Sequence, residues 1–207
     1  MADIRSRIED IPITPKIKKR STGIVGLNLL LDGGFQEGSI IMMYGTPLSG
    51  IDLAAQQFWK VEGEEGTYLI NDGDVEIGMI DALDMHPEMY LQQMAGGRIV
   101  IDSLSTIIVK YGIDSALKFL RMAREEMRKR GAILMFIVYT GIHAPMEMTR
   151  IMKAADVVIE FKSEAHQAEI ERTLAVQKIK DAAAPTRLLP FIITEKGIEA
   201  STTSRVV

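Results

Sequence analysis

The sequence predicts an α/β fold with a mostly parallel sheet flanked by helices and an antiparallel C-terminal edge. Short apolar runs recur along the chain, as strands buried on both faces require. Amphipathic stretches lie between most of them, giving the strand–helix–strand order of crossover units. The last two runs follow each other with no helix between, and so predict the antiparallel edge.

The first run is Ser39-Ile40-Ile41-Met42-Met43-Tyr44, between a glycine and a glycine-bounded loop. Residues 52–61 read as the helix that follows it, residues 66–70 as a second strand, and residues 98–102 as a third that stays apolar until Asp102. Over residues 115–130, Leu117, Leu120 and Met127 recur at helical spacing opposite a face of Arg121, Arg124, Glu125, Glu126, Arg128 and Lys129. Gly131 stops that helix. Residues 132–139 form a fourth strand, 146–154 a helix, and 156–161, 173–180 and 188–194 the remaining strands.

The 207 residues suit one domain, with ordinary globular proportions of hydrophobic (47%) and charged (25%) residues. Residues 1–20 read as an N-terminal arm or linker, 21–200 as the domain and 201–207 as a flexible tail. Pro12 and Pro15 break the arm, and Lys16-Ile17-Lys18-Lys19-Arg20 makes a basic cluster at its end. Ile11, Ile13 and Ile17 alternate at strand spacing, a pattern that suits packing on a neighbouring subunit.

Composition excludes several classes of function. With no cysteine there is neither a disulfide nor a thiolate metal site. The three histidines lie far apart and form no zinc spacing. A net charge of −4 lacks the global positive charge of an obligate nucleic-acid binder. The N-terminus has no apolar signal run, and the longest apolar stretch falls far short of the roughly 18 residues that span a bilayer. The expectation is a cytoplasmic protein with no membrane partner.

Chemistry is expected at Gly45-Thr46-Pro47-Leu48-Ser49-Gly50-Ile51-Asp52, between a strand and a helix. Gly45 and Gly50 have the spacing of a phosphate-binding loop, whose backbone N–H groups and helix dipole cradle phosphate. That pattern continues with lysine, for the β- and γ-phosphates, and with serine or threonine, for magnesium. Here Ile51 and Asp52 stand instead. A carboxylate a few ångströms from phosphate costs on the order of 1–4 kcal/mol. Lys60 lies about 12 Å further along the helix, too far to substitute. Ser49-Gly50-Ile51-Asp52 also fits a capping box, in which Asp52 would reach back to the N–H of Ser49. Alternatively, Asp52 serves as a magnesium ligand.

The stretch Ser21-Thr22-Gly23-Ile24-Val25-Gly26-Leu27-Asn28-Leu29-Leu30-Leu31-Asp32-Gly33-Gly34-Phe35-Gln36-Glu37-Gly38-Ser39 resembles the opening of KaiC-like proteins, a branch of the RecA superfamily of phosphate-loop ATPases. The resemblance continues through the loop. It resumes at Val100-Ile101-Asp102-Ser103-Leu104-Ser105, at Arg172 to Lys180 and at Pro190 to Ile198. It implies a RecA-like domain. It also implies that Asp102 would hold magnesium through water if nucleotide binds, with Asp52 a weaker metal candidate. Asp72 falls near the position of a catalytic glutamate, and Asn71-Asp72-Gly73-Asp74 reads equally as a turn. Lys178 and Lys180 match paired basic residues that reach a neighbour's γ-phosphate, and read equally as edge-strand lysines that discourage aggregation.

Between Asn71 and Arg98 the chain is shorter than the family usually is there. That segment holds Met79, Met85, Met89 and Met94, which suit either core packing or an adaptable surface. The loop after the fourth strand has no lysine or arginine, which disfavours DNA binding there.

The expectation is a catalytically inactive KaiC/RecA-like protein acting in assembly or regulation. Its partner would be a second copy or an active KaiC/RecA-like paralogue, and it would use no cofactor. The alternatives are an atypical ATP- and magnesium-binding sensor, and a recombination mediator that binds DNA with a partner.

Overall fold

A computed structural model describes residues 18–166 and 169–200. The N-terminal residues 1–17, with the alternating isoleucines, and the tail 201–207 lie outside the described residues.

Strand β1 (Lys19–Arg20) pairs antiparallel with β2 (Phe35–Gln36), on either side of helix α1 (Val25–Leu30). This pairing draws the end of the basic cluster into the domain. Lys19 donates to the carbonyls of Leu31 and Asp32, which follow α1, and Arg20 pairs with Glu37 and Glu64.

The main body follows the predicted alternation. Strand β3 (Ile40–Gly45) leads through a short 3-10 turn (Pro47–Ser49) into α2 (Ile51–Trp59). Then come β4 (Gly66–Ile70), β5 (Ile80–Asp81), α3 (Pro87–Gln93), β6 (Arg98–Asp102), α4 (Leu104–Tyr111), α5 (Ile113–Arg130), β7 (Ile133–Tyr139) and α6 (Pro145–Ala154). The chain finishes with β8 (Val157–His166), β9 (Glu169–Ile179), β10 (Leu189–Thr194) and β11 (Gly197–Ala200).

These strands form a nine-stranded sheet in the order β11-β10-β9-β8-β3-β7-β6-β4-β5. Strands β8, β3, β7, β6, β4 and β5 run parallel. Strands β9, β10 and β11 form the antiparallel edge that the helix-free C-terminal run predicts.

Side chains alternate between the faces of β3 and β7. Ile41, Met43 and Ile137 pack with α1, α2 and the antiparallel strands. Ile40, Met42, Leu134 and Phe136 pack with α3 to α6. Helices therefore cover both faces, the arrangement a parallel sheet needs. Helix α5 ends at Gly131, whose φ of 63° is left-handed, as its C-terminal glycine predicts. Of the methionines between β4 and β6, Met94 is buried, Met79 and Met85 pack against the two cores, and Met89 is about half exposed.

Candidate functional site

In a parallel sheet, function gathers where the strands end. Strands β3, β4, β6 and β7 bring Gly45, Asn71, Asp102 and Tyr139 to one edge of the sheet.

The loop after β3 is tightly built. A Cβ on Gly45 would stand 2.7 Å from both the Phe161 carbonyl and Ser49 Oγ, so only glycine fits. Gly50 adopts φ 83°, a left-handed conformation, and serves as the N-cap of α2. Ser49 is buried, and its hydroxyl donates to the Thr46 carbonyl at 2.6 Å. The capping box is therefore not formed. The cap residue is Gly50 rather than Ser49, and α2 has no side-chain cap. Ile51, at the position of the pattern's lysine, is fully buried in the core instead of facing the loop.

Asp52 turns toward the sheet. Its Oδ1 accepts from the Tyr139 hydroxyl at 2.9 Å. The same hydroxyl lies 3.3 Å from Asp102 Oδ1, and Tyr68 donates to Asp102 Oδ2 at 2.8 Å. Two carboxyls and two phenols thus alternate in a chain that joins α2, β7, β6 and β4.

A phenol carries one hydrogen, so Tyr139 cannot donate to both aspartates. One proton on the carboxyl pair satisfies every contact. Tyr68 then donates to Asp102, protonated Asp102 donates to Tyr139, and Tyr139 donates to Asp52. Burial, with the nearby charges of Asp52 and Asp72, pushes the Asp102 carboxyl up to about 6 against the opposing effect of the two phenol bonds. Burial also raises Asp52, opposed by the bond from Tyr139. The hydroxyls of Tyr68 and Tyr139 are raised, first by burial and then by the adjacent carboxylates.

A second layer positions these groups. The Tyr139 N–H donates to Ser105 Oγ at 3.0 Å, and that oxygen lies 2.8 Å from His143 Nε2. Burial lowers the His143 pKa, with Glu147 acting against it. Ser105 is only 1% exposed, and its hydroxyl supports the Tyr139 backbone from within the core. Asn71 accepts from the Ser103 N–H and donates to the Tyr90 hydroxyl. Asp72 is exposed and accepts from Thr106 Oγ1 at 3.1 Å.

The structure gathers Gly45, Thr46, Ser49, Gly50, Asp52, Asp72 and Asp102 at this edge. Lys178 and Lys180 lie toward the other end of the sheet, where β9 finishes beside Asp156. Lys178 Nζ is turned onto the last carbonyls of α6 and its C-cap, at 3.0 Å from Met152, 3.3 Å from Lys153 and 2.6 Å from Ala155. The ammonium is thus bonded within its own chain, at the end of an antiparallel strand. Lys180 is exposed. Sequence reasoning missed Tyr68 and Tyr139. Their signal was a hydroxyl tip within otherwise apolar strands, which needs a partner once buried.

The mostly parallel sheet with its flanking helices and antiparallel edge has the RecA-like fold. A crystal structure of a KaiC-like protein from Pyrococcus horikoshii matches with a TM-score of 0.72 over 89% of this chain and 99% of that one, at 18% identity. The chain itself belongs to the family of unknown function DUF7125, which matches residues 61–205. It is also similar to UPF0273 proteins. One from Thermotoga maritima is 23% identical over 88% of this chain and 95% of that protein. One from Pyrococcus furiosus is 21% identical over 88% and 93%.

Proposed function

We propose that this protein is a RecA/KaiC-fold module that does not hydrolyse ATP and acts through assembly or regulation. The observation that carries this reading is the Asp52–Tyr139–Asp102–Tyr68 chain, together with the buried Ile51. The residues present do not fit magnesium and a nucleoside triphosphate. No cation stands at the lysine position. Asp52 presents a carboxyl where a hydroxyl would meet the metal, and phenols occupy both oxygens of Asp102.

Exposed apolar side chains that follow the neighbouring strands β3 and β7 support an assembly role. Leu48 is 81% exposed in the loop after β3, and Ile142 and Met146 are exposed after β7. A second copy, or an active KaiC-like paralogue, is the partner this reading names.

The test is calorimetric titration of the purified chain with ATP and magnesium, beside sedimentation with and without nucleotide. The expected result is no saturable heat and an assembly state indifferent to ATP. Saturable binding that Asp102→Asn weakens would replace this reading with a nucleotide sensor.

A further inference from the structure

The N-terminal end of α2 lacks the supports such an end usually has. Its first-turn N–H groups have no intrahelical partner, and its cap residue, Gly50, has no side chain. In a working phosphate loop, the bound phosphate fills this role. Here the Asp52 side chain, in the first turn, reaches the sheet at Tyr139.

We propose that Tyr139 is the positioning residue of an internal tie. Its hydroxyl holds the start of α2 against the ends of β6 and β7, so that the chain alone sets the conformation a bound nucleotide would otherwise order.

Tyr139 is well placed for this. Its residue is only 8% exposed, its N–H is held by Ser105 Oγ, and the next residue's N–H donates to the Gly45 carbonyl at 2.9 Å. The hydroxyl is therefore presented from a backbone fixed on one side by α4 and on the other by the end of β3. On the far side, Asp102 is itself fixed by Tyr68. The inference goes beyond the non-hydrolysing reading and fails separately from it. Saturable heat from ATP with no change at α2 would end that reading and leave the tie standing.

Hydrogen exchange of the full chain, read by mass spectrometry, tests the tie. In Tyr139→Phe, the amides of residues 54–58 are expected to exchange about tenfold faster or more, the scale of one hydrogen bond to a charged group. Amides of β3 should keep their rates as an internal reference. Asp52→Ala should reproduce the change, and Asp52→Asn, which still offers an acceptor, should largely restore the natural rate. Magnesium and ATP should leave α2 of the natural protein unaltered. The proposal is overturned by unchanged exchange at α2 in both Tyr139→Phe and Asp52→Ala. Equal acceleration in α2 and β3, or slowing of α2 by ATP in the natural protein, would overturn it too.

Discussion

Strand β6 begins with one buried ionisable group and ends with another, and the two ends solve the same problem differently. Arg98 is fully buried, yet every strong partner it meets is opposite in charge or neutral. It pairs with Glu64 at 2.8 Å, donates to the carbonyls of Ser21 and Phe58, and lies 4.8 Å from the Phe58 ring. Burial would raise the Glu64 carboxyl, but hydrogen bonds and charge from Arg98 and Arg20 outweigh it and hold it low. Asp102, four residues on, has no cation among these partners. It faces Asp52 and Asp72 and two phenols. One end is an ion pair that Glu64 shares between Arg98 and Arg20, with Arg98 Nε left unpartnered. The other is a carboxyl held where its charge is unwelcome, as happens at sites shaped by something other than stability.

The largest effect should come from breaking the paired end. Arg98→Met leaves Glu64 to Arg20 alone and takes the donor from two buried carbonyls, and should lower the unfolding free energy by about 3 kcal/mol, the low end for a broken buried pair, in urea titrations. The other end should respond with the opposite sign. Asp102→Asn keeps an acceptor for Tyr68 and a donor for Tyr139 without the charge, and should stabilise the protein at pH 7 by about 2–3 kcal/mol. A loss of stability would show that the ionised carboxylate is well accommodated.

The pH dependence sharpens the contrast. The Asp102 pKa is raised to about 6, so the folded protein binds this proton more tightly than the unfolded chain does. Its contribution to stability is complete below the ordinary carboxyl range of about 4 and is lost as pH rises to about 6. His143 opposes it. Its lowered pKa favours the neutral ring, so its contribution is lost as pH falls below about 6.5. Asp102→Asn should therefore make the fall of thermal stability with rising pH shallower, with raised Asp52 still contributing a fall and His143 a rise. The smallest effect should come from Lys178→Met, which removes the charged cap of α6 and should cost about 1 kcal/mol.

The sheet was legible in the sequence because apolar runs such as Ile40 to Tyr44 are too short for a buried helix and are bounded by glycines. The short elements were not. Strands β1, β2 and β5 have two residues each, and helix α4 begins at Leu104, with only Ser103 between it and Asp102, inside what reads as a motif. The loop's location was legible from Gly45 and Gly50, but the direction of its side chains was not. Spacing placed Ile51 and Asp52 at the phosphate. It could not show that Ile51 enters the core, or that Asp52 meets a tyrosine 87 positions away. Contacts of that range depend on which strands end side by side, and no local pattern encodes them.

The packing of α2 against β4 also equips the molecule with its own optical probe. The only tryptophan in the sequence, Trp59, stands edge-on to Tyr68 with ring centroids 5.3 Å apart. Tyr68 is the phenol that donates to Asp102. An indole at contact distance from that phenol is set to accept its excitation, and the phenol's bond to Asp102 ties this donor to the buried cluster. Emission from Trp59 is therefore a label-free signal in which a change of the cluster can be sought, in the natural protein as in its variants.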